Sequence, residues 1–255
     1  MRLPRFLRRP ASPLNAAQSD YLSLLKKLIL NSVYHPGGHV EEGKVWPECP
    51  ALSMVGQKRL DNVQDLAMDC LLHNIPGDFI EAGIWKGGVI ALLAGILKMM
   101  PRTGRHVVGV DSFEGIPAAK PHLYPADAAH LGCEKVEILL NNSKEEVEGY
   151  LKRLDLPVSG EVELLKGWFS DVLPRLSKRR FCLVRLDGDT YESTIQGLEN
   201  LEPTLSPGGY LIIDDYFTWD GCRAAVNDYR AKHNITSPAI TVDFTAVYWK
   251  KPDVK

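Results

Sequence analysis

The chain has 255 residues, a formal net charge of −2 and 45% hydrophobic residues. That is enough length for one large α/β domain or two small ones, with a substantial core. The near-neutral balance supplies no basic field for nucleic acid, and the longest apolar run, Val89 to Leu97, is too short to span a bilayer.

Met1 to Pro10 carries four arginines, but Pro4 and Pro10 interrupt any long amphipathic helix that would lie on a membrane. No apolar run follows this basic start. The five cysteines are scattered and lack a CxxC pair, which argues against zinc and for reduced thiols in a cytoplasm. Residues 1–74 read as an arm and a helical cap. A helix is predicted over Asp20–Leu30, with Tyr21, Leu24, Leu25, Leu28 and Ile29 on one side. A second is predicted over Leu60–His73, with Leu60, Val63, Leu66, Ala67, Cys70 and Leu71 on its buried face. The Gly- and Pro-rich stretch between them reads as loop.

Residues 75–255 read as the core, in which strands alternate with helices. Strands are predicted over Asp78–Trp85, His106–Phe113, Glu161–Phe169, Phe181–Asp187 and Gly209–Tyr216. Helices are predicted over Gly88–Met99, Ser143–Leu154, Tyr191–Leu201 and Cys222–Lys232. This order predicts a mostly parallel sheet with helices on both faces. Ile240–Phe244 and Ala246–Lys250 follow with too short a connection for a parallel crossover, so they form an antiparallel hairpin. Residues 114–142 form a long irregular insertion, of the kind that often makes a lid. His122 and His130 fall inside it as possible substrate contacts, whereas His106 begins a strand and reads as structural.

Two motifs carry chemistry. In DFIEAGIWKGG, a strand runs through Gly83, Gly87 and Gly88 into a helix, letting the backbone approach a ligand near free N–H groups. The spacing is not the GxGxxG of a dinucleotide site, which disfavours a dehydrogenase. Asp111 ends the next strand, where a carboxylate can accept both hydroxyls of a ribose. Glu81 can accept from the amino group of a methionine moiety. Together they suit S-adenosylmethionine better than NAD. The alternative is that the glycines merely allow close packing.

The second motif is acidic. Asp187 and Asp189 end one strand, and Asp214 and Asp215 end another. Such carboxylates repel unless a cation joins them. Oxygen-only donors without His or Cys favour Mg²⁺ or a similar hard ion. The alternative is capping, with Asp189 or Thr190 heading the Tyr191 helix.

Together IEAGIWKGG, VVGVDSFEGIP, LKGWFSDVLP, RLDGDTYEST and LSPGGYLIIDDY resemble the TylF/MycF family of metal-dependent sugar O-methyltransferases. ALSMVGQKRLDN is similar to that family's upstream cofactor segment. The resemblance implies a class I S-adenosylmethionine-dependent methyltransferase fold, Rossmann-like, with a seven-stranded sheet and a lid. It implies metal ligation by Asp187, Asp214 and Asp215, with Asp189 as general base. It places the cofactor against Glu81, Ala82, Gly83 and Trp85, the ribose on Asp111 beside Ser112 and Phe113, and the adenine near Ser143, Gly167 and Trp168. Ser53 and Met54 would close over it. It also implies a homo-oligomer acting on a glycosylated small molecule in antibiotic biosynthesis.

Related catechol-type enzymes carry a lysine base three positions after the first metal aspartate; Thr190 occupies that place here, which leaves Asp189. A phenolic acceptor is the main alternative. A phosphatase is disfavoured because Asp187-Gly188-Asp189 places its hydroxyl residue one position early. An idle cofactor-binding protein is disfavoured because both sets of acids are present.

Overall fold

The structure is a computed structural model that describes residues 14–35, 50–100, 103–130, 140, 142–157 and 160–253. The basic arm, Cys49 and Cys133 lie outside the described residues. Two helices, α1 (Ala16–Ile29) and α2 (Gln57–Leu72), precede the sheet. The elements that follow are β1 (Asp78–Ala82), α3 (Gly88–Met99), β2 (Val107–Asp111), α4 (Lys144–Arg153), β3 (Val162–Lys166) and the short α5 (Phe169–Val172). The chain ends with β4 (Phe181–Leu186), α6 (Tyr191–Leu201), β5 (Leu205–Ile213), α7 (Asp220–Lys232), β6 (Ile240–Thr241) and β7 (Val247–Lys250).

The sheet has seven strands in the order β3-β2-β1-β4-β5-β7-β6. β1 to β5 pair in parallel, while β7 runs antiparallel to β5 and to β6. The expected class I methyltransferase architecture and terminal hairpin are both present. β5 begins earlier than its apolar run suggests, at Leu205, and β6 is reduced to two residues.

The period-2 alternation of the strands divides the interior in two. Phe79, Val107, Leu183, Tyr210 and Ile212 pack toward α1, α2, α3 and α4. Ile80, Ala82, Val108, Val110, Val184, Leu186, Leu211 and Ile213 pack toward the segment around Val172–Leu176, α6 and α7. α3 is apolar nearly all round, and Gly88 to Leu97 are all buried, because α1 and α2 cover the side that the sheet does not.

α2 buries the six residues that its periodicity singles out, together with Arg59 and Met68. For α1 the predicted face needs correction. Leu22, Leu25, Lys26 and Ile29 are buried, while Leu24 and Leu28 are exposed. Leucines at 24, 25 and 28 cover more than one face of a 100° helix, and Lys26 lies inward because Asp61 of α2 pairs with it.

Candidate active site

The strand order reverses between β1 and β4, and ligands of open α/β sheets bind outside the strand ends at such a point. Main-chain bonds extend the ladder just past the strands: Gly83 N donates to Val110 O at 2.8 Å, Asp187 N to Ala82 O at 2.9 Å, and Asp214 N to Leu186 O at 3.0 Å. The three loops are thereby held level. Gly83 has φ +88°, and a Cβ there would collide with the main-chain oxygen of Asp187, so only glycine lets the two loops touch. Above them lies a cavity of about 670 Å³.

Of the proposed site residues, Ser53, Met54, Glu81, Gly83, Trp85, Asp111, Ser112, Trp168, Asp187, Asp189, Asp214 and Asp215 line this cavity. Ala82, Phe113, Ser143 and Gly167 stand behind it. Phe113 N donates to Asp111 Oδ1 at 2.8 Å, and Gly167 N to Asp111 O at 2.8 Å. Ser143 caps α4 through a reciprocal pair of bonds with Glu146. The same Asp111 carboxylate accepts from Ile84 N at 2.9 Å and Trp85 N at 3.1 Å through Oδ2. Burial raises its pKa, and these amide donors oppose the rise. Trp85 and Phe113 have φ of +47° and +54°, uncommon for bulky residues. This strain flanks Asp111 on both sides.

At the other end the four aspartates converge. One oxygen from each of Asp187, Asp214 and Asp215 lies within 4.8 Å of the other two. Two buried arginines partly balance them. Arg185, the fifth residue of β4, pairs with Glu81, with Asp187 Oδ2 at 2.8 Å and with Asp214 Oδ1 at 2.5 Å. Arg59 of α2 pairs with Asp214 Oδ2 and, through Nε at 3.1 Å, with Asp243 Oδ2. Burial works against ionisation of Asp214, but Arg185 and Arg59 prevail and hold its carboxyl below the usual range. Asp215 lacks such help. Burial and then Asp189, Asp187 and Asp214 push its pKa well up, and its buried Oδ2 has no hydrogen-bond partner. An oxygen-only donor set with surplus negative charge and an unpartnered buried oxygen fits a hard divalent cation.

Capping does not absorb these acids. Thr190 is the N-cap of α6, its Oγ1 accepting from Ser193 N at 3.0 Å. Asp189 is thereby left to face the cavity, with φ +57° and with Oδ1 accepting from Trp219 Nε1 at 2.9 Å. Burial, followed by the Asp187 charge, raises its pKa to about 7.

The insertion after β2 divides in two. Gly115, Ile116, Pro117, Ala118 and Lys120 line the cavity. Lys120 Nζ holds both oxygens of Glu192 at 2.9 and 3.1 Å. A 3₁₀ helix then spans Pro125–His130. Its buried Asp127 accepts from Tyr191 N at 2.5 Å and Glu192 N at 3.1 Å, a second cap for α6 supplied from a distant segment. His122 is exposed and does not line the cavity; the side chain of His130 lies outside the described residues. His106 N donates to Asp78 Oδ1 at 2.9 Å, in keeping with a structural role.

The profile of the TylF family, described as macrocin O-methyltransferase, matches residues 35–251. The chain belongs to the TylF family. It is therefore an O-methyltransferase with the fold of the S-adenosylmethionine-dependent class. A family relative from Streptomyces niveus, demethyldecarbamoylnovobiocin O-methyltransferase, is 37% identical, with 94% of this chain and 97% of the relative covered. A second, from Streptomyces olivaceus, is 8-demethyl-8-(2,3-dimethoxy-alpha-L-rhamnosyl)-tetracenomycin-C 4'-O-methyltransferase, at 38% identity over 92% of this chain and 93% of the relative. The solved structure of the O-methyltransferase NovP superposes with a TM-score of 0.87 at 38% identity, covering 92% of this chain and 99% of that one.

Within this TylF-family site, sequence reasoning misses Arg59, Arg185 and Asp243. Arg185 has a legible signal, since a charge inside the apolar run FCLVRL demands a buried partner. Arg59 borders the apolar face of α2 but reads there as a surface residue. Asp243 organises the tip of the hairpin, its Oδ1 accepting from Thr245 N at 2.9 Å and Ala246 N at 3.0 Å. No local pattern announces that this tip reaches the site, where Phe244 and Thr245 line the cavity.

Proposed function

We propose that this chain methylates a hydroxyl on the deoxysugar of a glycosylated natural product, as in antibiotic biosynthesis, using S-adenosylmethionine and a divalent cation such as Mg²⁺. The observation that carries this reading is one cavity with a cofactor turn at one end and four aspartates at the other. A rhamnosyl group in the name of the Streptomyces olivaceus relative supports a sugar acceptor. The aromatic side chains of Trp168, Phe169, Trp219 and Phe244 around the cavity favour a phenolic acceptor as the second reading.

Bound S-adenosylmethionine supplies a sulfonium methyl group. Asp111 would hold its ribose, with Ser53 and Met54 of the N-terminal segment lining the same cavity. The buried Oε2 of Glu81 has no hydrogen-bond partner, and burial raises this carboxyl to about 8 against the pull of Arg185. The ammonium of the methionine moiety satisfies both deficits. Asp187, Asp214 and Asp215 hold the cation, which supplies Lewis-acid acidification of the acceptor hydroxyl. The cofactor would give up its sulfonium methyl group and leave as S-adenosylhomocysteine, and Asp189 would take the proton of the acceptor hydroxyl onto its carboxylate. The cavity would hold the two reactants together, and Gly115, Ile116, Pro117, Ala118 and Lys120 of the insertion, which line it, would limit the entry of water. The described part of the N-terminal segment, residues 14–35 and 50–74, would act as a cap on the core that begins at residue 75. A homo-oligomer and a cytoplasmic location complete the proposal; the three described cysteines are free thiols.

Calorimetric titration with S-adenosylmethionine, with and without Mg²⁺, followed by a panel of glycosides and phenols, tests it. Cofactor binding and metal-dependent transfer to a glycoside are expected. Absence of cofactor binding overturns the assignment of Glu81 and Asp111, and metal-independent turnover overturns that of the aspartates. In Asp189→Asn, kcat is expected to fall roughly 100- to 10,000-fold with cofactor affinity retained; full activity removes Asp189 as base.

A further inference from the structure

A general base must be held within reach of the proton it takes, and a carboxylate is held so when one oxygen is fixed and the other faces the proton. Asp189 meets the first condition through one side chain. Trp219 Nε1 donates to Asp189 Oδ1 at 2.9 Å, and both residues line the cavity. Trp219 is itself tied to the acid cluster, because the main-chain oxygen of Asp215 accepts from Thr218 N and Trp219 N, each at 3.1 Å. It heads α7, whose first turn packs against the insertion so closely that a Cβ on Gly221 would lie 2.7 Å from Asp127 Oδ1 and 3.1 Å from Tyr191 N. Asp127 in turn caps α6, the helix that begins just after Asp189. The loops after β4 and β5 therefore meet at the bond between Trp219 and Asp189, braced from behind by the insertion.

We propose that Trp219 is a positioning residue for Asp189, its indole N–H fixing one carboxylate oxygen so that the other takes the proton of the acceptor hydroxyl. This rests on the reading of Asp189 as the base. The indole is suited to the task. It offers one donor and no acceptor, so it cannot compete for the proton, and its partly buried ring packs against the apolar core on that side of the sheet. Asp189 adopts the left-handed backbone that aspartate and asparagine readily visit, and the bond to Trp219 is one of the contacts that hold its side chain in place.

The test is a double-mutant cycle. Trp219→Phe keeps a ring and removes the donor. We expect kcat to fall roughly 10- to 100-fold, with the acceptor KM and S-adenosylmethionine affinity within about twofold of the parent. In the Asp189→Asn background the same substitution is expected to cost nothing further, because a residue that acts through Asp189 has nothing left to position. A full additional loss in that background, or an unchanged kcat in the single variant, overturns the proposal while leaving Asp189 as the base. Full activity of Asp189→Asn alone overturns both.

A second measurement does not require the phenylalanine variant to fold. In protein labelled with ¹⁵N at its five tryptophan indoles, Asp189→Asn replaces a charged acceptor by a neutral one, and Asn tolerates the left-handed conformation. One indole N–H resonance is expected to move; if none of the five moves, the proposed bond does not exist in solution.

Discussion

The two ends of the cavity hold their carboxylates in opposite ways. At the β1–β2 end Asp111 accepts three main-chain N–H groups. Its partners are fixed dipoles of the turn, which oppose the rise in pKa that burial imposes. At the β4–β5 end, Asp187, Asp189, Asp214, Asp215 and Asp243 surround two guanidiniums, Arg59 and Arg185, and Arg185 also reaches Glu81 of β1. The carboxyl of Asp214 is held ionised, while that of Asp215 is pushed toward its protonated form. The first end is a finished scaffold. The second gathers five aspartates around two guanidiniums, and its carboxyls are driven in opposite directions. On the proposed function, a single cavity would separate cofactor binding at the first end from chemistry at the second.

The largest expected effect comes from removing the guanidinium on which the acid end depends. Arg185→Met strips the partner from Glu81, Asp187 and Asp214 at once, and breaking a buried pair of this kind costs about 3–5 kcal/mol. Urea denaturation of the metal-free protein reads it directly. A loss below about 1 kcal/mol would mean that the acids are already neutral, and the contrast between the two ends would collapse. The counterpart is Asp111→Ala, which leaves three N–H groups without their acceptor. It is expected to cost about 1–3 kcal/mol and to abolish measurable S-adenosylmethionine binding by calorimetry. Intact cofactor affinity would show that Asp111 serves the turn alone.

Asp127→Ala is a smaller perturbation and asks to which end the insertion belongs. It deletes a cap supplied in trans to α6, and caps are worth about 0.5–2 kcal/mol. The expected result is a loss of that size with a lowered kcat and unchanged cofactor affinity, since α6 begins directly after Asp189. A change in cofactor affinity instead would place the insertion with the cradle.

How far this contrast is legible in the sequence follows from its parts. The cradle is local: IEAGIWKGG and VVGVDSF lie on adjacent strands, each motif announces its own turn, and the strand alternation gives the sheet. The fold and the family follow from such segments, and they are borne out. The four aspartates are also local to two strand ends, so their convergence can be read. What balances them is not local. Arg59 and Asp243 are separated by nearly the whole core in sequence and meet only through the fold, so no spacing predicts them. The same holds for Asp127, which looks like one more polar residue in an irregular insertion until α6 is placed beside it. The face of α1 is misjudged for a related reason. Leu24 and Leu28 satisfy the helical period as well as Leu22 does, and only the position of α3 decides which stripe is buried.

The smallest expected effect concerns Lys120, which bridges from the insertion to Glu192 beside the cavity. Its side chain is 44% exposed while that of Glu192 is 13% exposed, so solvent screens much of the attraction. Pairs of this kind contribute about 0–1 kcal/mol, and Lys120→Met should leave the denaturation midpoint almost where it was. The long stem of the lysine also covers apolar surface that methionine preserves, which isolates the charge. If the bridge is only a surface pair, the acceptor KM is unchanged as well. If it fastens the insertion over the bound acceptor, the same substitution raises the acceptor KM severalfold at constant stability and constant cofactor affinity. Steady-state kinetics with the glycoside at saturating S-adenosylmethionine separates the two outcomes. The answer decides whether the acid end stays open to solvent until the acceptor arrives or is already roofed by the insertion.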